Sequence, residues 1–115
     1  MSKYLLRREL MRLCRYLLPA LALGAGIVGS AHAADEEAQI DQGREIYGEF
    51  CVACHGRDLV STSPVTFDLR KFPKDDAARF KDVVINGKGQ AMPPWRDKLS
   101  DEDVALLWAY VRSGG

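Results

Sequence analysis

The sequence predicts an all-α fold, a compact domain of three to four helices, and three observations carry that prediction. Apolar residues recur at intervals of three and four in three separate stretches, which is the spacing of one face of an α-helix. No stretch shows the strict alternation of a half-buried strand, and "PVTFDLRKF" offers at most a short extended piece. The run "FCVACHG" closes the first helical stretch and supplies a candidate staple for a chain too small to be comfortable on its core alone.

The first helix is expected over residues 40–52, where Ile40, Gly43, Tyr47 and Phe50 fall at spacings of three and four. The second is expected over 75–86. Acidic residues stand at its start, Ala77, Phe80 and Val84 share one face, and Gly87 follows as a C-cap. In the third, Ser100 and Asp103 form a capping-box pattern, and Asp101 and Glu102 suit the positive end of the helix dipole. Val104, Leu107, Trp108 and Val111 then make one stripe, and Gly114 stops it. Two loops rich in turn formers, 56–74 and 87–99, separate the helices.

At 115 residues the chain holds at most one domain, and its start is unlike the rest. Lys3, Arg7, Arg8, Arg12 and Arg15 precede the apolar run "YLLPALALGAGIVG" and then "AHA", the layout of a secretory signal cut after Ala33 or Ala34. Residues 1–33 are therefore read as a cleavable signal and 34–115 as the domain. The alternative, an uncleaved anchor, needs a longer apolar run of roughly 20 residues. The adjacent arginines of "LRREL" belong to the basic start rather than to a twin-arginine signal. Export places the mature chain in the periplasm.

Removing the signal changes the charge balance. Of 16 Lys+Arg and 16 Asp+Glu, five basic residues and Glu9 leave, so 11 face 15 and the net is −4. Such a chain has no basic excess for nucleic-acid phosphates, and it suits a partner with a basic docking face. No stable membrane insertion is expected after cleavage, and the chain is expected to be a monomer.

The inventory of reactive residues also contracts. Cys14, His32, Met1 and Met11 lie in the signal, so the mature chain keeps Cys51, Cys54, His55 and Met92. A structural zinc site needs four ligands, and no second Cys/His cluster exists to complete one. A redox dithiol belongs at a helix N-terminus beside a βαβ pattern, whereas this pair follows a helix. A plain disulfide leaves His55 unexplained. Covalent haem uses every position: Cys51 and Cys54 add to the two vinyl groups and His55 reaches the iron, the spacing of c-type attachment.

A second axial ligand is still required. Met92 is the one soft neutral donor left, and a Met/His pair raises the reduction potential. Gly87 and Gly89 before it let the loop bend, while Pro93 and Pro94 restrict the backbone after it.

Over nearly its whole mature length the chain resembles the class I mono-haem cytochromes c, through "GREIYGEFCVACHG", the single methionine of "AMPPW" and the final "LLWAYVRSG". The resemblance implies a compact cytochrome c fold wrapped around one covalently bound haem c. It implies crossed terminal helices, with Gly43 and Tyr47 on the first and Tyr110 as the aromatic of the last. It assigns Pro64 the backbone carbonyl that accepts from His55 Nδ1, although Ser63 stands where the family has glycine. Trp95 and Arg57 are candidates for bonding a haem propionate.

The implied function is one-electron transfer rather than catalysis, because two strong axial ligands leave a peroxidase or gas sensor no open site. Redox proteins are the expected partners, a dehydrogenase as donor and an oxidase or other acceptor, through small transient interfaces. The stretch "FDLRKFPKDDAARFKDVVINGKGQAMPPWRD" is similar to cytochromes that accept electrons from quinoprotein alcohol dehydrogenases.

Overall fold

The computed structural model of the protein describes residues 29–115. Among these described residues four α-helices follow in order: α1 (Gly29–Phe50), α2 (Val52–His55), α3 (Ala77–Asn86) and α4 (Asp101–Ser113). Two 3-10 turns, Arg57–Leu59 and Leu69–Lys71, lie between α2 and α3. The β pairing among the described residues is an isolated bridge between Lys88 and Met92. The described residues are all-α, as their periodicity requires.

Several bounds differ from expectation: α1 ends at Phe50 rather than 52, and α3 starts at Ala77 rather than 75, after its N-cap Asp76. Helix α1 begins at Gly29 rather than Ile40, because "AADEEAQ" is rich in strong helix formers that extend a helix without packing. Residues 32–39 are accordingly exposed, and the expected cut after Ala33 falls inside α1. The basic start and nearly all of the apolar run read as a signal lie outside the described residues. In place of an extended piece, "LRK" forms a 3-10 turn capped by Asp68, whose side chain accepts from the Arg70 backbone N–H at 3.1 Å.

Helices α1 and α4 form the main packed pair, and Gly43 is where they meet. A Cβ at Gly43 would stand 2.0 Å from the Leu106 carbonyl oxygen and 2.9 Å from Tyr110 Cβ. Below this contact Ile46 and Tyr47 face Leu107, Tyr110 and Val111 in the buried core. The Tyr47 and Tyr110 rings lie 5.2 Å apart in a tilted pair.

The caps fix where α3 and α4 start and stop. Asp103 N–H donates to Ser100 Oγ at 3.1 Å, and Ser100 N–H donates to Asp103 Oδ2 at 2.9 Å, a reciprocal capping box. Asp76 caps α3 by accepting from the Arg79 backbone N–H. Phe72, Phe80 and Trp108 stack edge-on or tilted at 5.2–6.0 Å and join α3 to α4. Among the described residues no helix is long and apolar enough to cross a membrane.

Candidate functional site

The Cys-x-x-Cys-His run is one helical turn added to the end of α1. Cys51 N–H donates to the Tyr47 carbonyl and His55 N–H to the Cys51 carbonyl, both at 2.9 Å. That turn sets Cys51, Cys54 and His55 at i, i+3 and i+4, on one side. Gly56 then adopts φ 77° and its carbonyl accepts the Tyr47 hydroxyl at 2.6 Å. A side chain at Gly56 would meet the Val60 carbonyl oxygen at 2.0 Å, so the sharp exit from the motif requires glycine.

The next turn is unusual. Asp58 (φ 53°) and Leu59 (φ 64°) both sit in the left-handed region, at roughly 1–2 kcal/mol each for L-residues. Burying Leu59 completely contributes about 1.5–3 kcal/mol in return, which offsets much of that cost.

Met92 arrives from the other loop. Lys88 N–H donates to the Met92 carbonyl at 2.9 Å and Met92 N–H to the Lys88 carbonyl at 3.3 Å. Trp95 N–H donates to the Val84 carbonyl at 3.0 Å, tying the loop to α3. Gly87 lies under this loop, where a Cβ would be 2.5 Å from the Met92 carbonyl oxygen.

Cys51, Cys54, His55 and Met92 all line one cavity of about 630 Å³, within the ~300–1,000 Å³ of cofactor sites. The rest of its wall is mostly apolar and aromatic, including Phe50, Phe67, Leu69 and Trp95. Phe67 is 51% and Val65 88% exposed, so the wall is apolar right to its rim.

The electrostatics of Cys51 argue against thiol exchange. Cys51 and Cys54 are free thiols, and burial, with a smaller effect of Cys54, pushes the Cys51 thiol up to about 12. A reactive dithiol needs the opposite, a stabilised thiolate. Among the described residues no three His, Cys, Asp or Glu side chains converge to hold a metal ion.

His55 Nδ1 lies 3.2 Å from the Phe67 carbonyl oxygen. A carbonyl only accepts, so Nδ1 carries the hydrogen and Nε2 presents its lone pair. This corrects the expectation for Pro64. The reason lies in the serines before it: Ser63 N–H donates to Ser61 Oγ at 3.2 Å, and Val65 N–H donates to Ser63 Oγ at 3.3 Å. These hydroxyl-held turns leave Pro64 exposed and bring Phe67 to the imidazole. Of the two propionate candidates, Trp95 lines the cavity and Arg57 does not. Sequence reading missed Phe67, which acts through its backbone, and also Arg79 and Lys88 on the cavity wall. The one available signal for Arg79 was its i, i+4 spacing to Val83, another wall residue.

Two free thiols, one imidazole with an available nitrogen and one thioether, set in an apolar cavity, match the donor set of a covalently attached haem with two axial ligands. The residues present fit the group.

Comparison with known proteins agrees. The family profile described as "Cytochrome C oxidase, cbb3-type, subunit III" matches residues 38–111. The chain is 34% identical over 77 residues to quinohemoprotein alcohol dehydrogenase ADH IIB of Pseudomonas putida, covering 65% of this chain and 11% of that protein. It is 27% identical over 88 residues to the cbb3-type cytochrome c oxidase subunit CcoP of Azospirillum brasilense, covering 70% of this chain and 30% of that one. With cytochrome c6 of Bryopsis maxima it shares 33% identity over 82 residues, 63% of this chain and 88% of that protein. The chain thus spans only a minor part of the first two and most of the third. No solved structure matches. The chain belongs to the cytochrome c family, as a mono-haem class I domain with covalent haem c as its cofactor.

Proposed function

We propose that the protein is a periplasmic one-electron carrier in which Cys51 and Cys54 bind the haem through thioethers and His55 and Met92 are the axial ligands. The observation that carries this reading is that all four side chains line one apolar cavity. When bound, haem supplies one-electron exchange between ferric and ferrous iron. The chain's own residues do the rest. The Phe67 carbonyl holds the His55 ring in the tautomer that presents Nε2. The Lys88–Met92 backbone pairing holds the methionine loop, and Phe50 and Trp95, packed edge-on at 5.6 Å, keep water from the cavity. Excluding water disfavours the more highly charged ferric state and raises the potential.

The donor we propose is a quinoprotein alcohol dehydrogenase, and the acceptor a terminal oxidase. A quinohemoprotein dehydrogenase and a cbb3-type oxidase subunit each contain a stretch similar to this chain, which supports a redox partner of either kind. Residues 1–33 act as the cleaved export signal in this reading. The test is stopped-flow mixing of oxidised protein with a quinoprotein alcohol dehydrogenase and its alcohol. Rapid appearance of the ferrous spectrum is expected. Reduction no faster than without the dehydrogenase removes that donor, and rapid carbon monoxide binding by the native reduced form would sink the carrier reading.

A further inference from the structure

The formally charged side chains on the cavity wall are both cations. Arg79 and Lys88 line it, and no carboxylate does. Arg79 stands in the first turn of α3, with its guanidinium 5.3 Å over the Phe72 ring. Four residues on, Val83 lies on the same helix face and on the same wall. Lys88 sits just past the helix, fixed by its two backbone bonds to Met92. The ion pairs among the described residues use Arg44, Arg70, Lys81 and Arg112, not these two. Two exposed cations therefore border an apolar space that no carboxylate of the chain lines. Haem brings two carboxylate arms.

We propose that Arg79 and Lys88 pair with the two haem propionates, orienting the ring in the cavity and raising its potential. The proposal rests on the cavity being the haem site, and it replaces Arg57, which lies off the wall. The planar guanidinium of Arg79 suits a bidentate grip on one carboxylate, and Lys88 acts as a point charge. A positive charge beside the ring disfavours the ferric state relative to the ferrous one, so losing it lowers the potential.

The test uses the holoprotein and four variants, Arg79→Gln, Arg79→Lys, Lys88→Gln and Lys81→Gln. Lys81 lies on the same helix but pairs with Asp101 at 2.8 Å and is off the cavity wall. It controls for net charge. Midpoint potential and the propionate bending band in resonance Raman are the readouts. Arg79→Gln and Lys88→Gln are expected to lower the potential and move the band, while Lys81→Gln does neither. Arg79→Lys is expected to keep most of the potential but still move the band. Potentials and bands for the two wall variants that match Lys81→Gln would overturn the proposal. If Arg79→Gln is not obtained with haem, Arg79→Lys decides: an unmoved band counts against the assignment and a moved one supports it. Wild-type protein without the added haem mass would overturn the cofactor reading as well, and mass spectrometry separates that failure from this one.

Discussion

Gly43 on α1 lies directly against Leu106 on α4, so close that any Cβ would stand 2.0 Å from the Leu106 carbonyl oxygen. The backbones of the two helices touch there, which brings Tyr47 and Tyr110 into contact one turn away. Everything the site needs from α1, including the Cys51–His55 turn at its end, is anchored by this crossing.

Gly43→Ala tests that contact against helix propensity. Alanine gains about 1 kcal/mol within a helix, but forcing the helices apart costs roughly 1–3 kcal/mol. The clash is with backbone, which cannot rotate away, so we expect a net loss of stability in urea unfolding. Gly48→Ala is the control, because nothing lies within 4 Å of a Cβ there. It should be neutral or stabilising, by up to about 1 kcal/mol.

Tyr47 should make stability fall at alkaline pH. Burial, with smaller contributions from nearby Tyr110 and Asp58, raises its phenol above the usual value, and burial chiefly raises Tyr110 as well. A group held protonated in the fold stabilises it fully below the unfolded pKa of about 10 and loses that contribution as pH rises above it. Urea midpoints should therefore decline above about pH 10, and less steeply in Tyr47→Phe. At neutral pH the same variant loses the 2.6 Å bond to Gly56, worth about 0.5–1.5 kcal/mol.

Ser100→Ala removes one half of the α4 capping box. A loss of about 1 kcal/mol is expected, read from thermal or urea unfolding. Ser100→Asp should restore most of it, since aspartate also accepts from the first-turn N–H groups.

Met92→Ala should abolish the methionine–iron charge-transfer band of the oxidised protein and lower its potential, because a neutral soft donor favours ferrous iron. The reduced variant should bind carbon monoxide quickly where wild type does not. A persistent charge-transfer band would show that another residue completes the iron.

The helices were legible because their signals are local. Ser100 with Asp103 and the stripe from Val104 to Val111 mark α4; the capping box is present, and Val104, Leu107 and Val111 are buried with Trp108 half-buried. The candidate donor set was legible because Cys51, Cys54 and His55 are adjacent and Met92 is the one methionine outside residues 1–33. The carbonyl facing His55 was not. Pro64 and Phe67 differ only in how a loop of hydroxyl-held turns is folded, and every residue carries the same carbonyl. The left-handed pair Asp58 and Leu59 left little mark either: aspartate is among the residues that tolerate that conformation, but leucine is not.

By itself, the sequence determined where the main helices lie, the Cys-x-x-Cys-His motif and a candidate donor set, because periodicity, capping and residue chemistry act over a few positions. Only the tertiary structure decided which carbonyl meets His55, which cations border the cavity, and how closely α1 approaches α4. Those depend on distances between segments far apart in the chain, which are set by packing Gly43 against Leu106 and by the path of two loops.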